Sequence, residues 1–290
     1  MRLKQLAYDL CGCVAGRHTH PTAMVVGGFT CAQRPADLAR MGSRLQAAGD
    51  DLSALAAWLK DRPWPEYERE TRYVSLRHPE KYAFDDGELC DSDGNTLEPA
   101  DYRQAVTETI VPPSTAKHSR WYGKTYAVGA LARFNNNYAQ LTAGAKTIAR
   151  KLGLAAPCRN PFLNTLAQVV ESMHCLEEAQ ELVQSLLESG IDAEGEPAPV
   201  TLRSGSGVGA VEAPRGTLFH EYAYDDHGRC TNANLVIPTA QNLAIIEADM
   251  RQYLEGAGDR EPADLQKGIE MLARAYDPCI SCAAHVIELA

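Results

Sequence analysis

The spacing of apolar residues predicts a mainly helical chain. Along five stretches apolar side chains recur at steps of three, four or seven, which is the repeat of a helix with one buried face. The broadest stripe is in the third of these stretches. They cover residues 37–59, 139–154, 164–188, 241–254 and 262–275. Residues 2–14 show a further helical pattern without a preceding N-cap residue, so we interpret the chain as beginning in the middle of an element.

Short β segments are predicted between the helices. Residues 72–102 alternate around two turn sequences, Asp85-Asp86-Gly87 and Ser92-Asp93-Gly94-Asn95. Residues 216–238 predict a hairpin with a turn at 226–228, and Gly, Pro, Ser and acidic residues predict a loop over 189–209. Neither an internal repeat nor a domain boundary is evident. We therefore expect a single α+β domain over residues 1–290, mainly α with small β hairpins.

Composition and charge narrow the classes of function. Hydrophobic residues make up 45% of the 290 residues and charged residues 23%, as is usual for a globular protein. The net charge of -10 argues against nucleic acid as a partner, because phosphate binding requires clustered Lys and Arg. Apolar runs stay shorter than the ~20 residues that cross a bilayer, so membrane insertion is not expected. Residues 1–20 lack the apolar core of a secretory signal, which predicts a cytoplasmic protein.

The sharpest chemical pattern lies near the C-terminus. Asp277-Pro278-Cys279-Ile280-Ser281-Cys282-Ala283-Ala284-His285 contains a C-x-x-C pair, whose two thiolates can face one metal ion. Thiolates are soft donors that favour zinc, iron–sulfur iron, Cu(I) or another soft transition metal. Asp277 is a candidate base or hydrogen-bond acceptor, and His285 a candidate ligand. Half a zinc knuckle and a thiol redox pair remain open alternatives. The odd total of 9 cysteines, without a regular framework, favours reduced thiols.

A second pattern is Glu212-Ala213-Pro214-Arg215-Gly216. Pro214 and Gly216 restrict the backbone around Arg215, so a stiff turn aims its guanidinium group. Arginine stays protonated and offers a planar fork of donors, which suits an anionic ligand near a metal. On these residues alone, an ordinary loop arginine paired with Glu212 or another acid is the favoured interpretation.

A third pattern is Gly16-Arg17-His18-Thr19-His20-Pro21. Two histidines at this spacing can bind a metal from a strand or loop. More often such a pair consists of one packed, hydrogen-bonded histidine and one exposed histidine, and we favour that interpretation.

Together the three patterns resemble the large subunits of [NiFe]-hydrogenases, and they follow one another along the chain in that family's order. Tyr126-Ala127-Val128-Gly129-Ala130-Leu131-Ala132-Arg133-Phe134-Asn135 and Asn234-Leu235-Val236-Ile237-Pro238-Thr239 look like two further segments of that family. The resemblance covers essentially the whole chain, and the C-terminal nonapeptide is highly specific to the family. It implies the family's helical core. Its details look most like the soluble, bidirectional branch coupled to nucleotides or similar carriers.

The resemblance implies roles for the residues around the metals. Cys279 would be a terminal nickel thiolate, and Cys282 would bridge nickel to an iron that carries carbon monoxide and cyanide. Arg215 would lie over the open face of the metals, hydrogen-bond a cyanide and help to split H₂ heterolytically. Asp277 would hold Arg215 in place.

The resemblance also implies a surrounding set of contacts. Pro214 and Leu218 would line the apolar pocket around the carbon monoxide, and Thr239 would hydrogen-bond a cyanide. His285 and the backbone carbonyl of Leu235 would bind a magnesium ion. An Fe–S small subunit would receive the electrons, with diaphorase-type subunits as further partners. Residues 286–290 resemble the extension that a maturation endopeptidase removes.

One part of the family pattern is not found. The family binds nickel with four cysteines, of which two belong to an N-terminal Arg-x-Cys-Gly-x-Cys, and it also has an N-terminal glutamate that relays protons. Leu10-Cys11-Gly12-Cys13 is C-x-C without the arginine, so we assign it no ligand role. Two thiolates cannot complete the nickel site. We therefore expect that Met1 is not the true start, or that the gene is truncated or split, and that these 290 residues alone show no H₂ activity.

Two other classes of protein compete with the hydrogenase interpretation. One is a non-catalytic relative, like the respiratory complex I subunit that keeps the same architecture without the cysteines, or a truncated remnant. The other is a zinc or thiol-redox protein that uses Cys279 and Cys282 only. Metal content separates the three classes.

Overall fold

The computed structural model describes residues 1–112, 114, 116–191, 197–256 and 258–283. Its helices are α1 (Arg2–Ala15), α2 (Pro35–Lys60), α3 (Ala130–Asn137), α4 (Ala143–Leu152), α5 (Asn164–Ser189), α6 (Pro238–Glu255) and α7 (Pro262–Ala275). Its strands are β1 (Met24–Val25), β2 (Gly28–Phe29), β3 (Val74–Arg77), β4 (Glu88–Asp91), β5 (Thr96–Leu97), β6 (Val106–Thr109), β7 (His118–Trp121), β8 (Gly205–Ala213), β9 (Gly216–Tyr224) and β10 (Cys230–Val236). Among the described residues, no helix is both long and apolar enough to span a membrane.

The backbone forms two compact units. The first, called the helical unit, comprises residues 1–61, 142–152 and 169–202. The second, called the mixed unit, comprises residues 62–141, 153–168 and the chain from Arg203 onwards. The assignment of residues 1–290 to a single domain stays a prediction.

The helical unit contains α1, α2, α4 and most of α5. The stripe predicted on α2 is buried along the helix, which confirms the helix and extends it back to Pro35, a residue suited to the first turn. Its buried residues are Leu38, Met41, Leu45, Ala48, Leu52, Ala56 and Leu59. The ion pairs Arg2–Asp51 and Arg44–Asp9 connect α1 with α2.

The mixed unit contains small antiparallel sheets. β3, β4 and β5 form one sheet, β6 pairs with β7, and β9 lies between β8 and β10 in a third. An apolar cluster packs between these strands and the segments beside them. Its members are Val74, Leu76, Ala83, Leu89, Tyr102, Ala105, Val106, Trp121, Tyr126, Val128, Phe219 and Val236. Helices take up 48% of the structure and strands 18%, which confirms the predicted class of mainly α with small β hairpins.

Several predicted boundaries were wrong. The loop predicted over 189–209 contains the start of β8, whose glycines at 205, 207 and 209 mask the alternation of a strand. Helix α6 starts at Pro238 and not at 241. The helix predicted from residue 139 starts only at Ala143, because residues 138–140 form a 3-10 turn. Helix α3 was not predicted, because its first five residues are all buried and leave no polar face.

Candidate metal site

The turn that carries Arg215 joins two long strands. β8 and β9 pair as far as Ala213 and Gly216, which leaves Pro214 and Arg215 as a two-residue connection. Gly216 has a φ of 134°, and a Cβ there would lie 2.2 Å from the Cγ2 atom of Val128. Only glycine fits this backbone and this space. The stiff turn predicted from the sequence is therefore present.

Arg133 on α3 supports this turn. Arg133 is 1% exposed, so its charge has to be compensated inside the protein. Nη1 donates to Glu212 Oε2 and to the carbonyl of Ala213, both at 2.9 Å, and Nη2 donates to the carbonyl of Pro214 at 3.1 Å. A buried planar fork thus fixes the last residues of β8 and the first residue of the turn.

Both oxygens of the Glu212 carboxylate accept hydrogen bonds, and Oε2 accepts the one from Arg133. Its Oε1 accepts hydrogen bonds from the backbone N–H of Leu76 at 2.8 Å and from the hydroxyl of Thr217 at 2.6 Å. Burial raises the pKa of Glu212, and Arg133 acts in the opposite direction. In isolation the motif favoured an arginine paired with Glu212 or another acid. Arg133 takes the place at Glu212, and the acid that contacts Arg215 is Asp277.

Helix α6 connects the turn with the C-terminal segment. Near its start the hydroxyl oxygen of Thr239 accepts a hydrogen bond from the backbone N–H of Cys279 at 3.1 Å. One turn further, Asn242 Nδ2 donates to the carbonyl of Arg215 at 3.4 Å, and its Oδ1 accepts from the N–H of Val128 at 2.9 Å. Buried amide and hydroxyl groups of α6 thereby hold both the Arg215 turn and the segment that carries Cys279.

Arg215 and Asp277 contact each other, as the resemblance implies. Arg215 Nε donates to the backbone carbonyl of Asp277, and Nη2 lies 3.2 Å from its Oδ2. Asp277 follows α7 in a left-handed conformation with a φ of 49°. The side chain of Arg215 is 34% exposed, so the guanidinium group remains accessible from outside.

Cys279 and Cys282 meet at one point in the segment that follows Asp277. A 3-10 turn over Ile280–Ala283 brings their Cα atoms to 5.3 Å, and the sulfur atoms form a disulfide. The expectation of reduced thiols is wrong for this pair in this structure. The other cysteines, all in the described ranges, are thiols: Cys11, Cys13, Cys31, Cys90, Cys158, Cys175 and Cys230. Binding of a metal by Cys279 and Cys282 requires reduction of the disulfide.

Three of the remaining predicted site residues lie within the described part of the chain. Pro214 is exposed, Leu218 is half-buried on β9, and Leu235 lies exposed on β10 opposite His220. His285 and the predicted extension 286–290 lie outside the described residues. Within the described ranges, no group of three or more His, Cys, Asp or Glu residues could hold a metal.

The histidine pair of the third pattern belongs to the helical unit, whereas Cys279 and Cys282 belong to the mixed unit. The ring of His18 stacks on Tyr8 with centroids 4.7 Å apart, and its Nδ1 is 2.6 Å from the hydroxyl of Thr19. The carbonyl of His20 accepts from Arg17 Nε at 2.5 Å. Cys11 and Cys13 lie in α1, as predicted for a helical segment.

The donors that the described chain brings together fit half of a nickel site. Two thiolates from a C-x-x-C pair are the soft ligands that nickel accepts, and Arg215 supplies a fixed cation beside the same segment. Sequence reasoning missed Arg133 and Asn242, which hold the turn from a distance. A signal for Arg133 existed, since it lies in the segment 126–135 that resembles the family.

Comparison with known proteins decides the family. A model of the family described as nickel-dependent hydrogenase matches residues 82–285. The chain belongs to this family. This membership confirms the resemblance to the large, nickel-carrying subunits that the motifs indicated. The family implies an oxidoreductase with a nickel–iron centre.

Individual relatives support this membership. The chain is 32% identical to the alpha chain of sulfhydrogenase 1 of Pyrococcus furiosus, over 100% of this chain and 67% of that protein. It is 28% identical to a chain of the F420-non-reducing hydrogenase of Methanothermobacter thermautotrophicus, over 99% of this chain and 65% of that protein. The chain thus spans about two thirds of the length of these relatives.

Solved structures agree with the sequence matches. The crystal structure of an NAD⁺-reducing [NiFe]-hydrogenase in the H₂-reduced state superposes with a TM-score of 0.83 at 26% identity. This match covers 97% of the chain and 67% of that structure's chain. The Ni-Fe-Se hydrogenase of D. vulgaris Hildenborough shares the fold, with a TM-score of 0.65 at 17% identity over 98% of this chain and 68% of that one.

Proposed function

We propose that the chain forms part of the catalytic subunit of a [NiFe]-hydrogenase, which splits H₂ reversibly into protons and electrons. The observation that carries this proposal is the Arg215–Asp277 pair next to the two cysteines of the C-x-x-C motif. When bound, a nickel–iron centre with carbon monoxide and cyanide on the iron supplies the Lewis acid that polarises H₂. Zinc would not explain the match to the nickel-dependent family.

The two cysteines would hold the metals after reduction. Cys279 would be a terminal nickel ligand, and Cys282 would bridge nickel and iron. A thiolate sulfur can also accept a proton, so Cys279 is the group on this chain that would receive the proton from H₂. The N–H of Cys279 is held by Thr239, which fixes the backbone from which that sulfur extends.

Arg215 would act through a charge that is in place before the reaction. Its carbonyl is held by Asn242, and its guanidinium group by Asp277. A fixed cation stabilises charge that develops nearby without the need to reorganise. Pro214 at the turn and Leu218 on β9 would exclude water around the carbon monoxide, and the hydroxyl group of Thr239 would donate to a cyanide.

Further ligands and partners complete the proposal. The carbonyl of Leu235 and His285 would bind a magnesium ion, and a maturation endopeptidase would remove residues 286–290. An Fe–S small subunit would take the electrons in a cytoplasmic complex. The likeness to an NAD⁺-reducing enzyme supports diaphorase-type subunits as further partners, and it supports the nucleotide- or carrier-coupled branch.

The four-thiolate site of the family needs two more cysteines than the C-x-x-C pair supplies. We infer that they come from a segment outside these 290 residues, as the length of the relatives allows. The 290-residue chain alone would then bind no stable nickel–iron centre and would not turn over H₂.

Hydrogen-dependent reduction of a viologen dye tests this proposal. We expect no turnover by the purified chain. We expect turnover once it is matured together with a segment carrying Arg-x-Cys-Gly-x-Cys and with an Fe–S small subunit. Cys279→Ser abolishes that turnover, whereas Cys230→Ser, at an exposed thiol on β10, preserves it. Turnover by the isolated chain would contradict the incomplete site. An inactive assembled complex would favour the non-catalytic relative.

A further inference from the structure

A buried carboxylate lies on the helix that holds the candidate site. Asp249 on α6 is 0% exposed and accepts hydrogen bonds from three side chains of the mixed unit. Arg69 Nε donates to Oδ1, the hydroxyl of Tyr67 lies 3.3 Å from the same oxygen, and the hydroxyl of Tyr276 donates to Oδ2 at 2.5 Å. Arg69 thus places a cation beside this buried carboxylate.

Tyr276 connects this carboxylate with the reactive side of the site. It is the residue between the end of α7 and Asp277. Asp277 adopts a left-handed conformation, which Asp takes more readily than most L-residues and which is common just after a helix. In that conformation both the carbonyl and the carboxylate of Asp277 contact Arg215. Whatever fixes Tyr276 therefore also fixes the acceptor of Arg215.

We propose that Asp249 is a positioning residue of the site, which acts through the Tyr276 hydroxyl to hold Asp277 and so to direct Arg215. This inference rests on the proposed function, because the role of Arg215 does. The same helix holds Cys279 through Thr239 and the Arg215 carbonyl through Asn242. Asp249 adds the third attachment, and the three together make α6 the common support of Arg215 and of the segment that carries Cys279.

An apolar contact would not provide the same restraint. A tyrosine ring packed among apolar groups can still shift along its own plane, whereas a short hydrogen bond to a fixed carboxylate defines the position of the ring's end. The variant Tyr276→Phe keeps the ring and removes only this bond. Asp249 then retains Arg69, so the variant does not leave an unpaired buried charge.

The metal-free chain offers the first readout. The N–H groups of Asp277, Cys279 and Cys282 donate to Arg274, Thr239 and Cys279, so their hydrogen exchange reports on the segment. In Tyr276→Phe we expect about tenfold faster exchange at these three amides, with the amides of α7 unchanged. The matched control is Tyr253→Phe, a buried tyrosine of α6 outside the Asp249 hydrogen bonds, in which all exchange rates stay as in the parent.

The assembled, metal-loaded complex offers the second readout. We expect Tyr276→Phe to shift the infrared bands of the cyanide ligands and to lower kcat for H₂ while KM is kept, and Tyr253→Phe to do neither. Unchanged exchange and unchanged bands in Tyr276→Phe would overturn the positioning role, as would equal changes in both variants. If the parent complex itself shows no cyanide bands, the proposed function fails, and the exchange rates alone decide whether Asp249 holds Asp277.

Discussion

The helical unit and the mixed unit are stabilised in different ways. In the helical unit, long helices bury continuous apolar stripes, as on α2 from Leu38 to Leu59. In the mixed unit, buried polar side chains tie turns to helices: Arg133 to the end of β8, Asn242 to the Arg215 turn, and Asp249 to Tyr276. Apolar burial is non-directional, whereas hydrogen bonds fix positions.

This difference between the two units bears on the candidate site, which lies in the mixed unit. The proposed roles of Arg215, Cys279 and Cys282 need side chains with defined directions, which an apolar core alone supplies poorly. The unit that carries them also carries buried polar groups that make several hydrogen bonds each. Loss of a buried polar contact should therefore affect the mixed unit, and loss of apolar volume the helical unit.

Removal of Arg133 should damage the mixed unit most. Arg133→Met leaves the carboxylate of Glu212 buried without its cation, which costs ~3–5 kcal/mol in the free energy of unfolding. Urea unfolding, followed by the fluorescence of the 3 tryptophans, which include Trp121 in the core of that unit, measures the loss. Arg229→Met, in the β9–β10 turn, is the control and should change little. A loss below ~1 kcal/mol for Arg133→Met would show that the polar support is dispensable.

The helical unit should respond to a cavity and not to a lost charge. Leu52→Ala on α2, at a residue that is 2% exposed, should cost ~3 kcal/mol. Leu55→Ala on the same helix, at 37% exposure, should cost less than ~1 kcal/mol. Circular dichroism during urea unfolding measures both values. Equal losses for the two leucines would contradict the buried stripe.

The contact between α6 and the cysteine segment should have a smaller effect on stability. Thr239→Val keeps the shape and removes the oxygen that accepts from the Cys279 N–H, which costs ~1 kcal/mol. Hydrogen exchange at Cys279 should become faster, and thermal unfolding should shift slightly. Thr231→Val, at an exposed position on β10, is the control. Unchanged exchange at Cys279 would mean that Thr239 does not hold this segment.

The smallest expected effect is a pH dependence confined to the helical unit. Burial lowers the pKa of His174 below its usual 6.5, against the opposing charges of Glu171 and Glu177. The unfolded imidazole binds a proton as the pH falls through about 6.5 while the folded one stays neutral, so stability decreases from there down to the folded pKa. Urea unfolding at about pH 7.5 and about pH 5.5, on either side of that value, should show the loss, and His174→Gln should reduce it. An equal loss in the variant would assign it to other groups.

The apolar parts of the fold could be predicted from the sequence better than the polar ones. Helices α2, α5 and α7 follow from their stripes, since α5 ends at Ser189 and α7 covers the predicted residues 262–275. Helix α3 has no stripe because Arg133 is buried along with its apolar neighbours. Strand β8 was hidden by glycines, whose backbone pairs with β9 without side-chain alternation.

In the candidate site, too, some features could be predicted from the sequence and others could not. The C-x-x-C pair and the Pro214–Gly216 turn are local in sequence, so their geometry could be predicted. The partners that hold them are distant: Arg133 lies 79 residues from Glu212, and Asn242 lies 27 from Arg215. Spacing along the chain contains no information on such pairs, and only the folded structure revealed that Glu212 belongs to Arg133 and not to Arg215.

Cys279 and Cys282 are proposed as nickel ligands in a site that a segment outside these residues completes. The most direct test is the metal content of the assembled, matured complex, compared with that of the purified chain. We predict nickel and iron in the complex and neither in the chain. We also predict loss of nickel in Cys279→Ser combined with Cys282→Ser, but not in Cys230→Ser. Nickel retained without these two thiols, or zinc in its place in the parent complex, would contradict the account.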